Sequence, residues 1–150
     1  MKKEIKLITA EETYDLRHEV LRPHQPIFES HYLGDLDPRA LHAGVYIDGV
    51  LVSVATIHPE AHETFETSPE HTYRLRGMAT SSRARSQGLG SELLGWMIQE
   101  LKKRDARAFI WCNARVKARE FYERLGFKTE GDVFDITGIG SHYVMWSALK

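Results

Sequence analysis

A glycine-containing hexapeptide near the middle of the chain has the residue types needed to hold phosphate groups. It reads Arg85-Ser86-Gln87-Gly88-Leu89-Gly90 and opens a long stretch with helical periodicity. Glycine leaves backbone N–H groups accessible in the first turn of a helix, where they have no intrahelical acceptor and the helix dipole favours anions. Arg85 adds a charge that can pair with phosphate. The glycine spacing and the absence of a lysine exclude the dinucleotide and P-loop fingerprints. A loop that needs glycine for packing is the alternative interpretation.

Three arginines lie at the ends of predicted elements or on a predicted central strand: Arg22, Arg76 and Arg115. A guanidinium group binds carboxylate or phosphonate through two parallel hydrogen bonds, which lysine cannot reproduce. For any single arginine, composition alone favours a solvated surface charge. Arg76 fits that interpretation least well, because it has apolar neighbours on a predicted strand, where a buried charge without a partner is costly.

Two other groups of reactive side chains have structural interpretations. His58, Glu60 and His62 are potential metal ligands, but Pro59 and the acidic surroundings disfavour the required helical geometry. We therefore predict a solvated turn and no metal. Cys112 lies in a buried strand with no evident base beside it. We expect it to pack in the core and not to act as a nucleophile.

The elements that position these residues alternate between strands and helices. Residues 3–8 are predicted as a strand, and the capping box at residues 9–12 begins a helix that ends before Pro23. Residues 23–38, with three prolines, are predicted as a loop with one helical turn. Asp48-Gly49 joins two β-rich runs and predicts a tight hairpin. The remaining assignments here are strands at 41–47, 50–57 and 72–80, and an exposed acidic turn at 59–71.

The second half of the chain contains the strongest helical pattern, at residues 86–104. A buried strand is predicted at 106–112, and Asn113 is a suitable N-cap for a second helix that closes at Gly126. Two strands near 127–134 and 142–148 flank a loop at 135–141. The order βα, a three-stranded meander, αβ and αββ predicts an α/β fold with one mixed sheet and helices on both faces.

Composition restricts the functional class. The chain has 150 residues and a net charge of −1 from 20 basic and 21 acidic residues. We therefore expect one domain over residues 1–150 and no nucleic-acid partner, since nucleic-acid-binding proteins usually have a basic excess. No apolar run approaches the roughly 18 residues of a membrane span. The N-terminus lacks the apolar stretch of a signal peptide, and a single cysteine precludes an internal disulfide. These features predict a cytoplasmic protein without a membrane partner.

Two segments together resemble the motifs of the GNAT superfamily of N-acetyltransferases. The first is R-x-x-G-x-G at residues 85–90, and the second runs from Asn113-Ala114-Arg115 to Phe121-Tyr122-Glu123-Arg124-Leu125-Gly126-Phe127. Over nearly its whole length the chain is also similar to the glyphosate N-acetyltransferase group. The matching segments are 21–26, 75–80, 111–115 and 131–135. Residues 135–141 depart from that group, because they lack its prolines.

The resemblance implies a GNAT fold, with a mixed, mostly antiparallel sheet of about seven strands and helices on both faces. It also implies acetyl-CoA as co-substrate, held where two central strands splay apart. The backbone of Met78, Ala79 and Thr80 would bind the pantetheine arm, and Asn113 would lie close to it. The pyrophosphate would be held by Arg85, Ser86, Gln87, Gly88, Leu89, Gly90 and Ser91.

The same resemblance assigns roles in acetyl transfer within a ternary complex. Arg22, Arg76 and Arg115 would bind the acidic groups of a small anionic amine. His142 would contact this acceptor and act as the base, a role that suits an unperturbed pKa near 6.5. Tyr122 would assist the leaving thiolate, although an aromatic residue on the core face of a helix is the structural alternative. A backbone N–H near Met78 would stabilise the oxyanion.

Two other functions are open at this point, and the protein is expected to be a monomer or a homodimer. A protein or peptide N-acetyltransferase would need an acceptor groove with acidic walls for basic peptides. The three arginines predict basic walls instead. A non-catalytic acyl-CoA-binding module would bind CoA but release no thiol with any amine.

Overall fold

Seven strands form one mixed sheet in the computed structural model, which describes residues 1–149. The strands are β1 (Lys3–Leu7), β2 (Leu41–Ile47), β3 (Val50–Pro59), β4 (Thr72–Thr80), β5 (Phe109–Arg115), β6 (Lys128–Ile136) and β7 (Gly140–Ser147). The helices are α1 (Ala10–Leu16), α2 (Leu89–Arg104) and α3 (Arg119–Arg124). Across the sheet the order is β1-β2-β3-β4-β5-β7-β6, and only β4 and β5 pair in parallel. The predicted mixed, mostly antiparallel sheet is confirmed.

Local sequence signals explain the first elements. The Thr9 hydroxyl accepts the Glu12 N–H, and the Glu12 carboxylate accepts the Thr9 N–H, so the predicted capping box is formed. Helix α1 continues into a π-helical turn at Arg17–Leu21, two residues before Pro23. In the hairpin between β2 and β3, Asp48 and Gly49 both have positive φ, 48° and 81°. This is the backbone that a two-residue turn of this type requires.

The core lies on both faces of the sheet because side chains alternate along β3. Val54 packs with Leu16 and Ala79 beneath α1. Ala55 and Ile57 point to the opposite face and join the larger cluster that includes the buried side chains of α2. Helices on both faces are therefore confirmed.

Helix α2 begins at Leu89, so the predicted start at residue 86 is wrong. Ser86 and Gly88 have φ values of 65° and 74°, which no helix accommodates. The hexapeptide is therefore a loop followed by the first residues of the helix. Gly88 is the N-cap and provides no capping side chain.

The strand after α2 also differs from its prediction. β5 spans Phe109–Arg115, so it begins three residues later than expected. A turn precedes it, in which the Asp105 carboxylate accepts the Arg107 N–H and the Asp105 carbonyl accepts the Ala108 N–H. Asn113 therefore lies within β5 and is not an N-cap. A 3-10 turn at Val116–Ala118 precedes α3. Gly126 ends that helix with φ 92°, as expected.

Two loops are more structured than the sequence predicts. The segment 59–71 was expected to be solvated, but the rings of His62 and Phe65 pack on Trp111 and Phe109, with centroids 4.6 and 4.9 Å apart. The loop predicted at 135–141 shrinks to residues 137–139, because β6 and β7 extend into it. Within residues 1–149, no three potential ligands from His, Cys, Asp and Glu are grouped to hold a metal ion. No helix in that range is long and apolar enough to cross a membrane.

Candidate active site

The central feature of the site is the divergence of β4 and β5. The two strands pair only between Thr72–Arg74 and Phe109–Trp111. Beyond this point β5 continues to pair with β7, up to Arg115 opposite His142, while the rest of β4 has no strand partner on its β5 side in the described part of the chain. The two strands thus open a V whose walls carry unpaired backbone N–H and C=O groups.

A cavity of about 330 Å³ occupies this opening. It brings together residues from the π-helical turn, β4, β5, α3 and the β6–β7 loop. Of the predicted site residues it contains Arg22, Arg76, Met78, Asn113, Arg115, Tyr122 and His142. Residues missed by sequence reasoning also line it: Leu21, Tyr32, Arg74, Leu75, Gly77, Cys112, Ala118, Ile136 and Ile139.

The cavity is cationic. Of the residues that the structure describes, four arginines line it and no carboxylate does. Arg22 and Arg115 donate only to backbone oxygens, those of Glu29 and Leu21, each over 3.3 Å. Within residues 1–149, neither they nor Arg76 forms an ion pair. The cavity therefore presents uncompensated positive charge, which favours an anionic ligand.

Arg76 is the cavity arginine whose charge is most affected by burial and by a neighbouring arginine. Burial, followed by the nearby charge of Arg74, lowers the pKa of Arg76 to about 10, so the group stays protonated at neutral pH. Its guanidinium carbon lies 4.0 Å from the centroid of the Tyr32 ring. Stacking on Tyr32 supplies attraction that does not neutralise the charge, which leaves the N–H groups free for a ligand.

Tyr32 is held in place by a buried ion pair. Arg17 donates to both carboxylate oxygens of Asp35, over 2.7 and 2.9 Å, and both side chains are almost fully buried. Asp35 in turn accepts the Tyr32 N–H over 2.9 Å. The Arg17 guanidinium also lies 4.0 Å from the Tyr32 ring centroid. Two arginines thus pack on one aromatic ring, one from the cavity and one from the core.

Further hydrogen bonds complete this network. Arg17 donates to the Ser30 carbonyl and to the Thr56 hydroxyl, over 2.8 and 2.7 Å. Burial alone would raise the pKa of Asp35, but the hydrogen bonds from Arg17 and Tyr32 hold it below its usual value. At Gly77, φ is 66° and a Cβ would lie 2.8 Å from Arg17 Nε. Glycine is therefore required where β4 passes over the buried arginine.

His142 lies at the start of β7 and is 4% exposed. Its Nδ1 is 2.7 Å from the carbonyl oxygen of Gly140. Because a carbonyl can only accept, Nδ1 carries the proton, and the neutral ring keeps its lone pair on Nε2. This is the tautomer required of a base whose ring is fixed through its other nitrogen.

Tyr122 reaches the cavity from α3. Burial, together with the neighbouring Cys112 sulfur, raises the pKa of Tyr122 well above its usual value, so its hydroxyl stays protonated. Burial also raises the pKa of Cys112 to about 12, which excludes a thiolate nucleophile at neutral pH. Asn113 Oδ1 is buried and has no hydrogen-bond partner within residues 1–149. Asn113 itself lines the cavity, but a buried Oδ1 is not presented to a ligand there.

The glycine loop lies at the N-terminus of α2. The absence of a capping side chain leaves the first N–H groups of the helix without protein acceptors. A Cβ at Gly88 would meet no atom within 4 Å, so open space lies in front of the loop. Arg85 is exposed, with a single long contact from Nε to the Thr80 carbonyl, 3.5 Å. These features fit a bound pyrophosphate, and the unpaired edge of β4 near Met78 and Thr80 fits an extended amide chain such as pantetheine.

Replacing Arg85 with alanine is expected to raise the Kd for CoA about 10- to 100-fold, as for the loss of a charge-assisted hydrogen bond. Titration calorimetry measures the effect. Arg104→Ala, at the opposite end of the same helix, is the matched control. The difference between the two variants should shrink as ionic strength rises. Equal CoA affinities for the two variants would show that Arg85 does not contact the phosphates.

Comparison with known proteins identifies the family. The model of the Acetyltransferase (GNAT) family matches residues 7–127. The chain belongs to this family. It is 41% identical, over 98% of its length and 97% of the relative's, to the uncharacterized N-acetyltransferase YitI of Bacillus subtilis (strain 168). The chain is thus a GNAT N-acetyltransferase, a type of enzyme that uses acetyl-CoA.

Solved structures share the fold. A putative N-acetyltransferase from Lactobacillus plantarum superposes with a TM-score of 0.80, covering 100% of both chains at 19% identity. An aminoglycoside 6'-N-acetyltransferase complexed with coenzyme A superposes with a TM-score of 0.75 at 14% identity, covering 98% of this chain and 97% of that one. At such identities the likeness concerns the GNAT fold and not the acceptor.

Proposed function

We propose that this N-acetyltransferase acetylates the amine of a small anionic acceptor, such as an amino acid or a phosphonate resembling glyphosate. The observation that carries the proposal is a cavity lined by four arginines and no carboxylate. A basic peptide would meet repulsion there, whereas an acidic amine supplies the missing counter-charge. The sequence resemblance to the glyphosate N-acetyltransferase group supports the same class of acceptor.

In this proposal the arginines orient the acceptor. Arg22, Arg76 and Arg115 bind its acidic groups from three sides of the cavity, which lowers the entropic part of the barrier. Stacking on Tyr32 fixes the orientation of Arg76 before the acceptor arrives. Acetyl-CoA supplies the acetyl group as a thioester, next to the unpaired edge of β4.

The remaining roles concern protons. His142 Nε2 accepts a proton from the acceptor amine, directly or through water. The amine nitrogen then has a free lone pair with which to attack the thioester. Because its pKa is raised, Tyr122 keeps its proton, and in this proposal its hydroxyl donates a hydrogen bond to the leaving thiolate. In this proposal a backbone N–H near Met78, which also lines the cavity, donates to the developing oxyanion. His142, Tyr122 and Met78 come from β7, α3 and β4, and all three line the cavity.

Acceptor selectivity tests the proposal. A panel of small acidic amines and basic peptides is incubated with acetyl-CoA, and released thiol is followed. We expect turnover with acidic amines, and a KM for the acidic amine about 10- to 100-fold higher in Arg76→Gln, because a charged hydrogen bond is lost. Arg104→Gln is the surface control.

Other results would favour the alternatives. Preferential turnover of basic peptides would indicate a peptide N-acetyltransferase. Normal CoA binding without thiol release from any amine would indicate a non-catalytic acyl-CoA-binding module. A single domain, a monomeric or homodimeric state, a cytoplasmic location and the absence of nucleic-acid and membrane partners stay predictions.

A further inference from the structure

Arg74 is a cavity residue to which the predicted mechanism gives no role. It lies on β4 two residues before Arg76, and both side chains line the cavity. Residues i and i+2 of a strand share a face and are roughly 7 Å apart along it. The two guanidinium groups thus form a row along one wall. Arg22 and Arg115 come from other elements.

The orientation of Arg74 is fixed by two neighbours. Its Nη1 donates to Glu60 Oε2 over 3.1 Å, and its guanidinium carbon lies 4.8 Å from the Trp111 ring centroid. Trp111 Nε1 donates to the Glu60 carbonyl over 2.8 Å, which ties the acid and the aromatic ring together. A long side chain held in this way loses little further freedom when it binds a ligand.

The charge of Arg74 is only partly compensated. Arg74 receives a single contact from the Glu60 carboxylate, and the Glu60 side chain is 39% exposed, so water screens the pair. Arg74 Nε is buried and has no acceptor within residues 1–149. Glu60 is also the nearest carboxylate to His58, over 3.8 Å. The Nη2 group of Arg74 makes no hydrogen bond within that range either, and unlike Nε it is not closed off from solvent, so Nη2 is the donor that a ligand in the cavity can reach.

We propose that Arg74 is a specificity-determining residue that binds a second acidic group of the acceptor, so that the enzyme selects amines with two separated acidic groups over amines with one. This inference rests on the proposed function, since it assumes that the cavity holds the acceptor. One acidic group binds Arg76 together with Arg22 and Arg115, which come from other elements. The second reaches Arg74, about two residues further along β4. Amino dicarboxylates and amino acids with a phosphonate or phosphate group have this chemistry.

Binding of non-reactive acids tests the role of Arg74 without turnover. Glutarate has two carboxylates, and butyrate is a monocarboxylate of similar length. Calorimetry gives the Kd of each acid in the presence of saturating CoA, for the wild type, Arg74→Gln, Arg74→Lys and the surface control Arg107→Gln. In Arg74→Gln the preference for glutarate over butyrate should fall about 10- to 100-fold, with a smaller fall in Arg74→Lys. The control should keep the wild-type preference.

Glu60→Gln provides a test of opposite sign. Glutamine keeps an oxygen that can accept from Arg74 Nη1 and so hold its orientation, but it removes the competing negative charge, so the preference for glutarate should rise above that of the wild type. An unchanged preference in both Arg74→Gln and Glu60→Gln would overturn the inference, as would a wild type that binds neither acid.

The two proposals can fail separately. If glutarate binds through Arg74 but no acidic amine is acetylated, the proposed function is wrong and the Arg74 site stands. If amines with one acidic group are acetylated and the preference for a second group does not depend on Arg74, the proposed function stands and the inference is wrong.

Discussion

Replacing His142 with alanine is expected to lower kcat by about 10²- to 10⁴-fold, the usual contribution of a general base. The reason is the fixed tautomer: Nδ1 is engaged by the Gly140 carbonyl, so Nε2 is the ring atom that can take a proton. The Kd for CoA should change much less, because the glycine loop lies on a different element. The rate of thiol release at saturating substrate concentrations gives kcat, and calorimetry gives the Kd for CoA.

Two further variants define the role of His142. His142→Gln retains polarity but cannot act as a base, so it should be as slow as His142→Ala. His24→Ala removes an exposed imidazole and is the matched control. Wild-type turnover in His142→Ala would remove this residue from the mechanism.

Replacing Asp35 with asparagine is expected to lower the free energy of unfolding by about 3–5 kcal/mol, because Arg17 is left as a buried charge without a partner. Arg17 is fully buried, so water cannot compensate for the loss. Urea denaturation monitored by tryptophan fluorescence measures the change. Asp37→Asn is the control, because Asp37 is exposed in the same loop.

The double variant Arg17→Met/Asp35→Leu distinguishes a paired charge from independent contacts. It removes both charges at once, so it should be more stable than Asp35→Asn alone. The cycle also needs Arg17→Met and Asp35→Leu measured separately. If the losses of unfolding free energy in these two variants add up to the loss in the double variant, the ion pair is not the origin of the effect.

The pH dependence of Asp35 has a defined sign. Its pKa in the folded protein is lower than in the unfolded chain, where it is about 3.9. The folded state therefore binds fewer protons than the unfolded state in the interval between these two values. The contribution of Asp35 to stability is fully present above pH 4 to 5 and is lost as the pH falls through the folded pKa. In Asp35→Asn this part of the acid sensitivity should be absent.

Residues with local signals were predicted well. The hairpin at Asp48-Gly49, the capping box at Thr9 and strand β4 need only neighbouring residues to specify them. The errors occurred where local and tertiary preferences disagree. Asn113 has the chemistry of an N-cap, but β7 pairs with it through Val144, so it lies in a strand. Ser86 fits a helix by pattern, but its positive φ belongs to the loop that precedes α2.

The support for the site could not be predicted from the sequence. Arg17 lies on a short helix and contacts Asp35 and Thr56, which are 18 and 39 residues away. No spacing rule links such positions. Arg74 and Tyr32 are likewise recognisable only when the divergence of β4 and β5 places them in one cavity. That the predicted arginines and His142 share one site could be predicted only from the family resemblance, because the sequence around each residue gives no reason to group them.

Because Tyr32 packs on the buried Arg17, substitutions on the two walls of the cavity are expected to differ in their cost to stability. On one wall, a change at Tyr32 alters the packing of both Arg76, which lines the cavity, and the buried Arg17. Variation there carries a penalty in folding before it yields a new substrate. On the other wall, Ile139 lies in a three-residue connection beside Gly138 and contributes little to the core. Lineages that acquire a new acceptor should therefore diverge first at residues 137–139, while Arg17, Tyr32 and Asp35 are inherited as one block.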